Sequence, residues 1–378
     1  MAPINAEKRS LKEIKAHKAE KKKWKEQNLI KKYEKQQLKE QIKSSKQNDV
    51  IESVSKELPT ISIAIPGSIL ENAQSLELRT YLAGQIARAA CVFQVDEVVV
   101  FDDYGDEVGA KKSTIEDSDG VLKTTRKCCA QLGRILQYLE CPQYLRKFFF
   151  PIHKDLQYAG VLNPLDAPHH LRQNDVFEFR EGVVTNKPVK SGRGSQVNIG
   201  LLQDIHIDKL LTPGIRCTVK LLKQDGSKKL KGLIVPPKTP KIETGVYWGY
   251  EVRLANSLSQ VLSQCPYKEG YDLTIGTSDK GTSIDEFESS KYKHALIVFG
   301  GLNGLEAALE NDNVLNIDDP SLLFDHYLNT IPNQGSRTIR TEEAVLITLT
   351  SLRTKLNLNI DGRKKLGDKN IKDLSRFD

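Results

Sequence analysis

Asn329-Thr-Ile-Pro-Asn-Gln-Gly-Ser-Arg-Thr-Ile-Arg340 gathers proline, glycine, asparagine and serine into one stretch and runs straight into Thr341-Glu342-Glu343-Ala344-Val345. The apolar, glycine-free run that follows, to about Arg353, predicts a helix. Thr341 is a candidate cap for it, with Glu342 and Glu343 at the positive helix start. The loop thus offers backbone amides and carbonyls to whatever lies beside that helix. Two further glycine turns follow apolar strands: Gly276-Thr-Ser-Asp-Lys-Gly281 after Leu273-Thr-Ile275, and Gly300-Gly301 after Ala295-Leu-Ile-Val-Phe299. Three strand-end loops of this kind suit a nucleoside-type ligand, which α/β proteins bind at the C-terminal ends of their strands. Neither standard phosphate motif fits. Gly276–Gly281 has the glycine spacing of a Walker loop but continues Thr-Ser without the lysine, and Gly300-Gly-Leu-Asn-Gly304 is not GxGxxG.

The elements that must position these loops read as α/β. Ile61-Ser-Ile-Ala-Ile65 is a strand ending in the turn Pro66-Gly67-Ser68. Leu76 to Ala90 is a helix with Leu78, Leu82, Ile86, Ala89 and Ala90 on one face. Glu97-Val-Val-Val-Phe101 is a buried strand stopped by Asp102-Asp103, followed by an acidic loop over residues 102–120 and a helix from Thr124 to Leu139. Strand, helix, strand, helix predicts a parallel sheet. Between about Asp175 and Pro240 the pattern changes to short alternating runs at 176–180, 195–199, 215–219 and 231–235, which predicts a small inserted β-barrel. The α/β pattern resumes at Tyr247–Arg253, continues through a helix at 257–263 and strands at 271–275 and 295–299, and ends in the final loop and helix. The expected division is an arm and linker over 1–58, α/β segments over 59–165 and 246–378, and an insert over 166–245.

The net charge of +7 is unevenly spread. Residues 1–46 hold 15 Lys and Arg against six Asp and Glu, while the remainder holds 41 against 43. The arm lacks glycine and proline from Glu7 to Lys46 and is sparse in apolar residues, which reads as an extended or transient helix. It suits phosphate binding, and Lys21-Lys-Lys-Trp-Lys25 suits nuclear import, although such a run also serves simply as a solvated face. Lys187, Lys190 and Arg193 in the insert are candidate nucleic-acid contacts; they equally fit solvated strand edges. The six cysteines have no CxxC spacing and read as reduced thiols. His169-His170 is the one histidine doublet, and a polar loop explains it better than a metal site. No run approaches the ~18 apolar residues of a membrane span, and the N-terminus has no apolar signal core, so neither a membrane nor a secretory role is expected.

Pro66-Gly-Ser-Ile-Leu70, Glu77-Leu-Arg-Thr-Tyr-Leu-Ala-Gly-Gln-Ile-Ala-Arg88, Gly276-Thr-Ser, Val298-Phe-Gly-Gly-Leu302 and Asn329–Glu343 together resemble the SPOUT-class RNA methyltransferases of eukaryotes and archaea that carry an inserted OB-like domain. The resemblance covers residues 59–355 and leaves out the arm. It implies a parallel sheet with a deep C-terminal trefoil knot, an exception to ordinary connection rules. It implies S-adenosyl-L-methionine as cofactor and S-adenosyl-L-homocysteine as product. By motif, the adenosine would meet Gly276, Thr277, Gly300, Gly301, Leu302, Ile331 and Ile339, with Gly335 and Ser336 closing the pocket. It further implies dimerisation through the knot, an rRNA or pre-rRNA substrate and a nuclear, specifically nucleolar, location; uridine N3 is the expected target atom.

Methyl transfer needs a nucleophile in line with the sulfonium methyl and a route for its proton. Arg337 and Arg340 flank the expected pocket, and Arg79 and Arg88 lie in the helix motif that accompanies it. Glu343 is a weaker candidate base, because a carboxylate at a helix start usually serves the helix. For each arginine an ion pair, for instance to Glu342 or Glu343, is the plain structural alternative. A noncatalytic RNA-binding assembly or mitotic scaffold that retains the fold is the other functional reading; cofactor binding and turnover would separate it from an enzyme. A phosphate-binding NTPase is disfavoured by the missing lysine.

Overall fold

The computed structural model describes residues 58–356, apart from 106–110, 117–119, 121, 190–193, 223–229, 290 and 316. The expected arm, Lys190 and Arg193 lie outside the described residues.

Six strands form one wholly parallel sheet: β1 (Thr60–Pro66), β2 (Glu97–Phe101), β10 (Glu251–Ala255), β11 (Leu273–Ser283), β12 (His294–Val298) and β13 (His326–Asn329), in the order β10-β2-β1-β12-β11-β13. The central strands are buried on both faces, which is why they read as unbroken apolar runs. Period-two alternation sends Ile61, Ile63, Ile65, Val98 and Val100 to one face, against α1 (Leu76–Val92), α2 (Lys127–Glu140) and α7 (Thr341–Lys355). Ala64, Val99, Phe101, Leu296 and Val298 face the other way, against α5 (Leu258–Ser263) and α6 (Gly304–Glu310). Two short helices, α3 (Gln143–Phe149) and α4 (Thr239–Thr244), complete the set.

The insert is a closed barrel of five strands, β5 (Phe179–Val184), β6 (Gln196–Asn198), β7 (Ile205–Ile207), β8 (Arg216–Leu222) and β9 (Lys231–Val235), ordered β5-β6-β7-β9-β8. Its core is Val184, Val197, Ile199, Ile205, Ile207, Ile215 and Val219. Packing groups Glu181–Pro236 as one compact unit and assigns 166–180 and 237–245, which the sequence pattern places with the insert, to the α/β unit.

Several expectations change. The acidic loop after β2 contains β3 (Lys112–Glu116), which pairs with β4 (Leu122–Arg126), so the following helix starts at Lys127 instead of Thr124. Both strands are largely exposed, and nothing apolar alternates in them strongly enough to announce a hairpin. Leu78 is 54% exposed and so off the buried face of α1, which Thr80, Leu82, Ala83 and Ile86 form. Strand β7 has only three residues, too few for alternation to reveal it. Tyr247-Trp248-Gly249 precedes β10 instead of forming it, since Gly249 takes a φ of +89° with Glu140 and His169 where its Cβ would stand. The histidine doublet lies in a loop, as expected, but His169 is buried in it, 3.0 Å from the Glu140 carboxylate, and half-buried His170 donates through Nε2 to the Glu140 carbonyl at 2.7 Å. Burial pushes His170 down to about 3. Among the described residues no three metal-binding side chains converge, all six cysteines are unpaired, and no helix is long and apolar enough to cross a membrane.

Candidate functional site

The three loops singled out in the sequence meet at the C-terminal ends of β11, β12 and β13. The Asn329 side-chain amide donates to the Asp279 carbonyl at 2.9 Å, tying the segment after β13 to the distal part of β11. Thr341 Oγ1 donates to the Gly300 carbonyl at 3.0 Å, tying the start of α7 to the end of β12. Thr277 Oγ1 donates to the Val298 carbonyl at 3.0 Å. Thr330 and Thr348 share a hydroxyl hydrogen bond of 2.8 Å, which holds the beginning of the loop against α7. Within the loop Asn333 is left-handed, at a φ of +58°, and Ser336 Oγ donates to the Thr338 carbonyl at 2.8 Å.

Gly276–Gly281 is not a turn. It is the distal half of β11, with a register shift against β13 between Thr277 and Thr282. A Cβ on Gly276 would lie 2.4 Å from the Phe324 ring, and one on Gly281 would lie 2.6 Å from the Leu328 backbone. These glycines admit a neighbouring chain at close range. Gly300 meets the Gly304 backbone in the same way, at 2.7 Å. A Cβ on Gly301 would stand 3.0 Å from both Ser68 Oγ and Asp103 Oδ2, whereas one on Gly335 would meet nothing within 4 Å. Leu302 is 72% exposed, Ile331 and Ile339 are half-buried, and Gly335 and Ser336 are exposed.

Arg340, not Thr341, is the N-cap of α7, and its amide donates to the Glu343 carboxylate at 3.0 Å. Thr341 is turned inward by its bond to Gly300. Glu343 is therefore engaged in the cap, while Arg337 and Arg340 are exposed with no ion pair among the described residues. Arg79 Nε donates to the Ala73 carbonyl at 3.1 Å. Arg88 donates to the Pro164 and Leu165 carbonyls at 3.2 and 2.6 Å. Both arginines thereby hold loops in place. In the barrel, Lys187 is exposed and pairs with Asp204 at 2.6 Å.

Beside Gly301 lies a pair that sequence reasoning passes over. Ser68, after β1, donates its hydroxyl to Asp103, after β2, at 2.5 Å. Burial pushes the Asp103 carboxyl up, with the Ser68 hydrogen bond opposing. The adjoining Asp102 instead pairs with Arg126 at 3.0 Å; burial raises it too, against the bond to the Tyr104 amide and the Arg126 charge. The signal is present in sequence as Pro66-Gly-Ser68 and Asp102-Asp103, each closing an apolar strand.

The chain matches, over residues 60–352, the family described as "Putative RNA methyltransferase". It belongs to that family of RNA methyltransferases. A Drosophila melanogaster protein named 28S rRNA (uridine-N(3))-methyltransferase is 54% identical over 362 residues, covering 94% of this chain and 74% of its own length. Proteins of the same name from Mus musculus and Homo sapiens are 56% and 54% identical over 299 residues, each covering 79% of this chain and 77% and 78% of their own. The SpoU methyltransferase AviRb of Streptomyces viridochromogenes, solved with AdoMet, aligns at a TM-score of 0.30 and 11% identity over 81% of this chain and 60% of that one, too slight a likeness to carry weight.

Proposed function

We propose that this chain transfers a methyl group from S-adenosyl-L-methionine to N3 of a uridine in large-subunit rRNA or its precursor, releasing S-adenosyl-L-homocysteine. The observation that carries this is the 54% identity to the Drosophila uridine-N3 methyltransferase across almost the whole chain. The convergence of the three loops at the strand ends supports it, with Arg337 and Arg340 exposed on the last of them.

The adenosine lies among Gly276, Thr277, Gly300, Gly301, Leu302, Ile331 and Ile339, with Gly335 and Ser336 over it. Gly335 fits that role best, because the space a Cβ would take there is open. The segment from Asn329 to Arg340 threads as a trefoil knot; its bonds to β11, to Gly300 and to α7 support this reading. The barrel is OB-like, a reading supported by its 1-2-3-5-4 strand order with β7 and β9 parallel. Arg337 and Arg340 position the RNA, assisted by Lys187, Lys190, Arg193 and the basic arm, while Arg79 and Arg88 serve from the helix face. A nucleolar site of action follows from an rRNA substrate.

The protein acts as a homodimer through the knot region, with α7 and the face of α1 packed beside it in the interface. Leu78, Tyr81, Val92 and Leu346 are exposed on these helices, and the last three line a groove of about 320 Å³ that Arg88, Glu342 and Glu343 also border. Exposed apolar side chains bordered by charges of both signs suit a second copy.

The test is calorimetry with S-adenosyl-L-methionine and S-adenosyl-L-homocysteine, followed by tritium transfer to deproteinised rRNA and mapping of the product base. Micromolar binding and label at uridine N3 are expected. Binding without transfer to any RNA would leave a noncatalytic scaffold.

A further inference from the structure

We infer that Asp103 is the group that takes the uridine N3 proton, with the Ser68 hydroxyl as its positioning residue and relay. The inference rests on the methyltransferase reading above and names the proton acceptor which that reading lacks.

Three features place the acceptor here. Asp103 and Ser68 close neighbouring parallel strands, β2 and β1, on the same C-terminal edge as the loops of β12 and β11. Gly301, in the centre of the proposed cofactor loop, has its missing Cβ 3.0 Å from Asp103 Oδ2 and 3.0 Å from Ser68 Oγ. The pair therefore abuts the loop proposed to line the cofactor. Third, Asp103 is a buried carboxylate with no ion pair among the described residues: the Ser68 hydroxyl donates to it at 2.5 Å, the Ser68 amide at 3.4 Å, and its own backbone amide adds a further bond. Burying a carboxylate with no cation beside it is costly, and a fold built only for stability would place a neutral side chain there.

The surroundings keep the carboxylate basic. Arg126 from β4 bonds to Asp102 and to the Gly105 carbonyl. Asp102 itself adds a like charge. Cys129 on α2 donates its thiol to the Phe101 carbonyl, with Cys128 and burial holding it protonated. Tyr104 stays a phenol, pushed up to about 12 by burial and the Glu71 carboxylate. Asn311, at the end of α6, contributes only a bond to the Asp103 carbonyl. Among the described residues no cation competes for the Asp103 oxygens, and a carboxyl raised by burial is a better base than one in water.

In the step itself the N3–H proton passes to Asp103, directly or by way of Ser68, whose own proton moves to the carboxylate as it accepts the substrate's. The N3 electron pair then forms the N–C bond to the methyl carbon. The C–S bond breaks, and its pair returns to sulfur, leaving a neutral thioether and a protonated Asp103.

The experiment uses the full chain, with deproteinised rRNA and labelled S-adenosyl-L-methionine, and follows single-turnover transfer against pH. The wild-type rate should rise tenfold per pH unit and level off above the acceptor's pKa. Asp103→Asn should bind S-adenosyl-L-homocysteine and RNA as wild type does, lose on the order of 10²–10⁴-fold in rate, and lose that limb. Asp103→Glu should restore part of the rate. Ser68→Ala keeps the carboxylate but removes its donor, so the limb should move to higher pH. Asp103→Asn that binds both ligands and transfers methyl at the wild-type rate, or an unmoved limb in Ser68→Ala, overturns the inference. If wild type itself fails to bind S-adenosyl-L-homocysteine, the cofactor reading falls, and this inference falls with it for a reason the calorimetry identifies.

Discussion

Gly301 and Gly335 belong to the same proposed pocket but answer to different neighbours. A side chain at Gly301 runs into Ser68 and Asp103, so Gly301→Val should lower the melting temperature as well as cofactor affinity. Gly335 faces open space, so Gly335→Val should leave melting unchanged while weakening S-adenosyl-L-methionine binding at least tenfold; calorimetry beside a thermal melt checks both. Asp103 has a stability signature of its own. Its carboxyl is raised in the folded chain, chiefly by burial. The native state therefore holds that proton more tightly than the unfolded one, and stability falls as pH climbs from the ordinary carboxylate range through the raised value. Asp103→Asn should accordingly melt higher than wild type at pH 7, with the gap closing as pH falls to about 4. A lower melting point at pH 7 would mean the carboxylate supports the fold. The motif residues are legible as strand-end glycines, but the reason for each is not: Gly276, Gly281 and Gly300 are small because another stretch of chain passes beside them, and sequence spacing does not say which stretch comes so close.

Helix α7 shows how an element can absorb a residue that looks chemical. The Glu343 carboxylate accepts the Arg340 amide, closing the first turn. Glu343→Gln keeps an acceptor there and should leave methyl transfer within about twofold of wild type, whereas Glu343→Ala should destabilise by about 1 kcal/mol through loss of the cap. A loss of a hundredfold in Glu343→Gln with the melt unchanged would restore Glu343 as a base. Elements with a continuous apolar run, such as β1, β2 and β12, can be read from the sequence because both faces of a parallel sheet are buried. The β3–β4 hairpin cannot. Its residues are mostly polar and exposed, and what fixes it is tertiary: Lys123 Nζ donates to the Leu254 carbonyl of β10, and Arg126 reaches Asp102. The barrel's existence is legible from alternation and turn spacing, but three-residue strands such as β7 are too short to carry a period.

At the scale of the whole molecule, charge is segregated: in the first 46 residues 15 basic side chains outweigh six acidic ones, and the rest is close to balance. Removing residues 1–46 should therefore weaken RNA binding and flatten the slope of log affinity against log salt, by roughly 0.7–0.9 for each phosphate the arm neutralises. A slope that stays the same would clear the arm of any part in binding. The chain's own order bears on how its site comes into being. β13 and α7, which supply the last of the three loops, follow every other strand of the sheet, yet β13 pairs with β11 and α7 bonds to Gly300 at the end of β12. A chain made from its N-terminus can build β1, β2, β10 and β12 into a sheet before those partners exist. The pocket is then a late product of synthesis, so a nascent chain cut short before α7 would have its strands paired but one sheet face part-bare and its site incomplete, and cofactor binding would report completion of the polypeptide as well as its fold.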